Sequence, residues 1–271
     1  MTQSQKTAVG NFASASKHIG EFVSKEFAEL RKDTIEMNVQ RIQLNSKAEY
    51  KDIDSGLDPE DVKARVSAAN ALSEYGRLLL ALVEHSEAKE LKQAASSFQD
   101  SMQTVPNMKI TQEQLDIMDK VLRMGGGYIV ELIRLKYVKR FVSSYQKQID
   151  KLCDLLINDF STASEGGTGF ICDYENTIGL LENTVRRILR KPSSFEERKL
   201  AVIAYQNVVD NKAYLKLVAA KAKSSILAIK EKNSKLMAAL NRDKQKIKDI
   251  KTISLTIKEL GDAVRALSSD N

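Results

Sequence analysis

Apolar residues recur at alternating steps of three and four along nearly the whole chain, and this spacing constrains the fold more than any other feature of the sequence. Val9, Phe12, Ser16, Ile19, Val23, Phe27, Leu30, Thr34 and Met37 keep the rhythm unbroken, with Ser16 and Thr34 as its only polar members. Such steps return side chains to one face of an α-helix, so they predict a helix over residues 4–47 with one stripe against a partner. Composition agrees with the pattern. Among 271 residues there are three prolines and no tryptophan, aromatics make up 6%, and charged residues 29%. Lys, Leu, Ala, Ser, Ile and Glu are the commonest residues, a largely helix-forming set, and strand signals are nearly absent. The expected fold class is all-α: an elongated bundle of long amphipathic helices with coiled-coil-like packing, one domain over residues 1–271 with a mobile C-terminal helix at 243–271.

Caps and breakers divide the chain. Asp58 before Pro59 offers an N-cap followed by proline at the first helical position, with Asp61 at the helix's positive end. The helix it starts buries Val62, Val66, Ala69, Leu72, Leu79 and Val83, with Gly76 tolerated on the same side. A short helix over residues 88–102 follows, and after Pro106 a capping box of Thr111 and Gln114 opens a fourth at Gln112. This one meets Gly125, Gly126 and Gly127, each costing about 1 kcal/mol of helix stability relative to alanine, so a hinge, kink or close backbone contact is expected there. From 128 to 142 apolar residues cover most of the circumference, which predicts a central helix with Arg134, Lys136, Lys139 and Arg140 reaching outward. The small, polar run at 161–169 reads as a loop, then a helix over 172–190 ends in Arg186, Arg187 and Arg190 before Pro192. Ser193 and Glu196 read as the capping box of a long final helix. Its seam includes Leu200, Ile203, Leu215, Val218, Ala222, Ile226, Ile229, Leu236 and Leu240. Asn233 interrupts that seam, and rotation toward the rim is preferred over an amide that fixes register. A last stripe of Ile250, Ile253, Ile257, Leu260, Val264 and Leu267 is expected to pack on the chain's own helices rather than against a second copy, though an oligomer stays open.

Reactive constellations are scarce. His18 and His85 are the only histidines, neither lies in a helical metal-site spacing, and no Glu-x-x-His pair or EF-hand loop occurs. The triple glycine leads into Tyr128 instead of a phosphate-loop lysine, and Gly166, Gly167 and Gly169 read as a hairpin turn ahead of an anion cradle. Cys153 and Cys172 flank that turn, so a disulfide between them is a candidate in an oxidising compartment, and two buried thiols in a reducing one.

Charge is unevenly divided. Residues 1–135 carry 17 Lys/Arg against 20 Asp/Glu, net −3, and residues 136–271 carry 25 against 16, net +9. Lys212, Lys216, Lys223 and Lys230 form a row beside the apolar seam, the candidate contacts for phosphates or an anionic surface. Interleaved aromatics for base stacking are missing, and so is any specific nucleic-acid motif. A solvated outer face is the preferred reading of the row. No run of about 18 uncharged apolar residues exists, so no stable transmembrane span is expected.

The opening Thr2, Gln3, Ser4, Gln5, Lys6, Thr7 and Ala8, running straight into an amphipathic helix, resembles the mature start of bacterial periplasmic helical lipoproteins. The resemblance implies a periplasmic location after signal removal, with the cytoplasm as the alternative.

Strong packing periodicity beside missing catalytic constellations favours a non-enzymatic helical-bundle protein, binding or structural, with another protein as partner and no cofactor or metal. Two alternatives stay open. One is a membrane-active protein that swings residues 125–142 out on the glycine hinge. The other binds nucleic acid or anionic surfaces through the basic C-terminal helix.

Overall fold

A computed structural model of the chain describes residues 1–45, 49–84, 88–123, 131–192 and 194–241. The candidate hinge Gly125, Gly126 and Gly127, together with His85, Ser193 and the stripe from Ile250 to Leu267, lies outside the described residues.

The described residues form an all-α protein of packed helices: α1 (Gln3–Gln43), α2 (Pro59–Val83), α3 (Ala88–Thr104), α4 (Gln112–Arg123), α5 (Glu131–Asp159), α6 (Phe170–Arg190) and α7 (Phe195–Leu240). They cluster into two compact units. The first comprises Met1–Ser24, Ala64–Leu156 and Ser224–Asn271, and the second Lys25–Lys63 and Ile157–Lys223.

The starts of the helices follow the predicted chemistry. Asp58 Oδ1 accepts the Glu60 amide at 2.8 Å as α2 begins at Pro59. Thr111 and Gln114 exchange the two bonds of a capping box at 2.9 and 3.3 Å at the head of α4. At α7 the cap sits one residue later than expected, because the Ser194 hydroxyl accepts the Glu197 amide at 3.0 Å.

Every member of the α1 stripe from Val9 to Met37 is buried. Elsewhere the phase differs from the sequence expectation in three places. On α5 the buried stripe runs Val138, Phe141, Tyr145, Ile149, Leu152 and Leu156. Stepping back four residues from Val138 reaches Arg134, so Arg134 is buried at 7% exposure while Ile133, one position off the stripe, is exposed. On α7 the stripe runs Ala201, Ala204, Val208, Leu215, Val218, Ala222, Ile226 and Ile229, which leaves Leu200 and Ile203 outside it and exposed. The same stripe passes through Asn233, which is fully buried between Ile229 and Leu236 instead of turned to the rim.

In the first unit the core is aromatic. Phe98 packs on Phe141, Tyr75 and Tyr145, and Tyr75 packs on Phe12 and Phe141, all with centroids between 5.0 and 6.3 Å apart. Two polar networks run through this core, while Ser73 Oγ, Gln148 Oε1 and one Arg134 guanidinium nitrogen are buried without a hydrogen-bond partner among the described residues. Tyr75 Oη donates to Asn233 Oδ1 at 2.9 Å, and Asn233 Nδ2 donates to Asp150 Oδ1 at 3.2 Å. Gln114 Nε2 donates to the Ser144 carbonyl, and Gln148 Nε2 to Gln114 Oε1. Helices α1 and α2 meet backbone to backbone. A Cβ on Gly76 would stand 2.4 Å from the Ala13 carbonyl oxygen, and one on Gly20 2.5 Å from the Ser73 amide nitrogen.

The second unit is built around Phe27, whose ring lies 5.1 Å from that of Phe160 and 4.9 Å from that of Phe170. The loop between α5 and α6 is a turn, as its glycines predict. Ala163–Glu165 forms a single 3₁₀ turn closed by Gly166 at φ 75°, a left-handed backbone that glycine adopts without a Cβ clash. Asp159 Oδ1 accepts the first amide of α6, that of Phe170. Asn38 donates to the carbonyls of Ile53 and Ser55, which holds the connection leading to α2.

Candidate functional site

Within the second unit, α1 from Lys25 onward runs antiparallel to the first half of α7: Glu26 pairs with Tyr214, while Asp33, seven residues on, shares Tyr174 with Asn211, three residues back. Further along the same pair of helices a cleft of about 160 Å³ opens, lined by Asp33, Glu36 and Met37 of α1 and Asn207, Asp210 and Asn211 of α7. Its lining holds three carboxylates and two amides and not one lysine or arginine.

Tyr174 of α6 anchors the cleft. Its hydroxyl donates to Asn211 Oδ1 at 3.0 Å and lies 3.4 Å from Asp33 Oδ2. One phenolic proton cannot serve two acceptors. Burial raises the Asp33 pKa above the ordinary carboxylate value, against the opposing hydrogen bond from Tyr174, and Glu29 and Glu36 raise it further. Glu26, buried beside Tyr214, is likewise raised by burial, against the hydrogen bond from Tyr214 and the nearby Lys25.

These shifts fix the sign of a pH dependence. A carboxyl whose folded pKa is raised contributes stability that is complete below its unfolded pKa and is lost as pH rises through the folded value. Lowering the pH from 7 toward 4.5 is therefore expected to raise the melting temperature. The carboxylates of Glu165, Glu182 and Glu231 are shifted the other way, chiefly by hydrogen bonds, so they act only below that window. Glu26→Gln keeps an oxygen for Tyr214 and removes the buried charge. It is expected to raise the melting temperature at pH 7 and flatten the profile measured by circular dichroism between pH 5 and 7. An unchanged profile would show that Glu26 is not held in the enclosed setting described.

The cleft continues into an apolar surface. On α7, Leu200, Ile203, Asn207 and Asp210 follow one another at steps of three and four and so share a face. Leu200 is 42% exposed and Ile203 50%. Phe195, at 78%, Val202, Tyr205 and Val209 are exposed on other sides of the same half-helix, Tyr205 lying 5.8 Å beneath the Arg186 guanidinium. Six of the eleven large apolar side chains exposed among the described residues thus fall between Phe195 and Val209.

The residues singled out from sequence sit elsewhere. Lys212 pairs with Glu182, Lys223 with Glu165 and Lys230 with Asp154, while Lys216 is exposed and makes no ion pair with a described residue. A phosphate approaching this row would displace carboxylates already in place. Cys153 and Cys172 are both free thiols. Cys153 belongs to the first unit, buried, and burial pushes its pKa up. Cys172 belongs to the second, where its thiol donates to the Gly167 carbonyl at 3.1 Å, with the Ser161 carbonyl 3.5 Å away.

Chemically, the cleft can neutralise and hydrogen-bond a cation. No histidine lines it, and no group of three or more His, Cys, Asp or Glu among the described residues could hold a metal ion. Its residues went unread in the sequence, although one signal was present. The apolar seam read on α7 jumps from Ile203 to Leu215, and Asn207, Asp210, Asn211 and Tyr214 occupy the gap.

No protein-family model, no curated protein and no solved structure matches the chain.

Proposed function

We propose that the chain is a non-enzymatic helical scaffold that holds a protein partner on the first half of α7. One observation carries this reading: Phe195, Leu200, Val202, Ile203, Tyr205 and Val209 are exposed on a single half-helix. Scattered apolar side chains are normal on a surface, but a concentration of them marks an interaction site. Covering a leucine, isoleucine or phenylalanine is worth about 1.5–3 kcal/mol, so a partner that shields three or four of them gains appreciable affinity.

The membrane-active alternative draws less support. The described part of the segment places Val138 and Phe141 in the aromatic core, and no helix among the described residues is long and apolar enough to cross a membrane. The anionic-surface alternative rests on lysines of which three are already paired.

Site-specific photocrosslinking tests the reading. A photoreactive phenylalanine at Val202 or Ile203, in cells producing the protein, is expected to give a discrete product with a second polypeptide. The same residue at the highly exposed Tyr50 serves as control. Products no stronger than at Tyr50 would overturn the proposal.

A further inference from the structure

The surface on α7 is more specific than an apolar patch, because one of its faces ends in uncompensated negative charge. Leu200 and Ile203 lead, one turn at a time, into Asn207 and Asp210, and Asp33 and Glu36 of α1 stand across the cleft. Elsewhere in the same unit three carboxylates are matched by cations: Asp54 by Arg31, Glu165 by Lys223, and Glu182 by both Arg186 and Lys212. The cleft differs. Asp33, Glu36 and Asp210 form no ion pair with a described residue, and Asp210 accepts only the amide of Gln206 within its own helix. Charges left unmatched beside exposed apolar side chains call for a ligand carrying both complements.

Resting on the α7 docking surface above, we infer that the partner presents an amphipathic helix with a basic flank, its apolar residues on Leu200 and Ile203 and its lysine or arginine side chains in the cleft of Asp33, Glu36 and Asp210. The dimensions agree. From Leu200 to Asp210 the face extends about 15 Å at 1.5 Å per residue, room for two to three turns of a partner helix. On such a helix an apolar pair spaced by three or four would sit one to two turns from the cations. A long side chain can keep its stem along Ile203 and Met37 while its charged head reaches the carboxylates.

The experiment uses the full chain and two labelled synthetic 18-residue peptides of defined pattern, one an amphipathic helix of leucine and lysine, the other with every lysine replaced by glutamate, read by fluorescence anisotropy. The lysine peptide is expected to bind, more weakly as salt is raised, and the glutamate peptide is not. The double variant Asp33→Asn/Asp210→Asn, which keeps the hydrogen bonding to Tyr174, is expected to weaken lysine-peptide binding about tenfold. Glu60→Gln/Asp61→Asn removes the same charge from the exposed start of α2 and is expected to change it little. Melting curves confirm that each variant is folded. Equal binding of both peptides, or equal losses from the two double variants, would overturn the basic-helix inference. The α7 surface itself is judged by Ile203→Ser. Weakening by Ile203→Ser without weakening by Asp33→Asn/Asp210→Asn keeps the docking surface and removes its charge preference, whereas indifference to Ile203→Ser removes both.

Discussion

Replacing Gly76 with alanine is expected to lower the melting temperature by roughly 4–8 °C, an unusual result for a glycine in the middle of a helix. In an exposed helix the same change stabilises by about 1 kcal/mol, because alanine loses less backbone freedom on folding. Here the added methyl would stand 2.4 Å from the Ala13 carbonyl oxygen and 2.5 Å from the Lys17 amide nitrogen. Both obstacles are backbone atoms of α1, which cannot rotate aside, so α1 and α2 would have to part along the crossing that also includes Gly20 against Ala69 and Ser73. Overpacking of this kind costs about 3 kcal/mol at the upper end of its usual range. Less the propensity gain, about 2 kcal/mol remains, which sets the expected temperature shift for a chain of this length. Gly10→Ala and Gly179→Ala are the controls. Both glycines lie within helices with nothing within 4 Å of a built Cβ, and each substitution is expected to be neutral or stabilising by up to about 1 kcal/mol. A neutral Gly76→Ala would remove the close crossing from the fold.

That crossing also shows where reading the sequence stops. Gly76 falls on the buried face of α2, and periodicity alone says it is tolerated there; that the opposing surface is another backbone is a tertiary fact with no local signal. Local chemistry was legible at several places where the determinant and its effect lie within one or two turns. Asp58 and Pro59 start α2, Thr111 and Gln114 start α4, and α1 buries the whole stripe from Val9 to Met37. The α7 phase failed because its first half is apolar on several sides, so Leu200 and Ile203 fit the rhythm as well as Ala201 and Ala204 do. Alanine is a weak marker of burial, and the larger side chains drew the seam toward the surface. Arg134 misled in the opposite direction, since a cation at a core-stripe position reads as an outward one. The lysine row looked available because its counterions are remote in sequence: Glu182, Glu165 and Asp154 reach Lys212, Lys223 and Lys230 from other helices or loops. The cleft joins Asp33 and Glu36 to Asn207 and Asp210, segments that only the antiparallel pairing of α1 with α7 brings together.

Asn233→Leu is expected to destabilise the protein by about 2 kcal/mol, or roughly 4–8 °C, although it places a larger apolar side chain on an apolar seam. The side chain of Asn233 is fully enclosed, its oxygen accepting from Tyr75 and its amide donating to Asp150. Tyr75 is itself fully buried among Phe12, Phe98 and Phe141, and burial pushes its phenol pKa far up, so it stays a neutral donor at any ordinary pH. Leucine at 233 offers that hydroxyl nothing, and an orphaned buried donor costs about 1–3 kcal/mol. Tyr75→Phe alone strands the amide oxygen of Asn233 in the same way and is expected to cost a similar amount. Combining the two removes both halves of the bond, so the double variant should be more stable than the sum of the single losses, with a coupling of about 1 kcal/mol or more. Denaturant melts of the four proteins measure that coupling directly. Strict additivity would mean that Tyr75 and Asn233 do not share a bond. A coupling of the expected size explains why the seam carries an amide at all: shifting α7 by one turn would place Leu236 or Ile229 opposite the Tyr75 hydroxyl, so the buried pair selects one axial register for the helix at a cost in stability that an all-apolar seam would avoid.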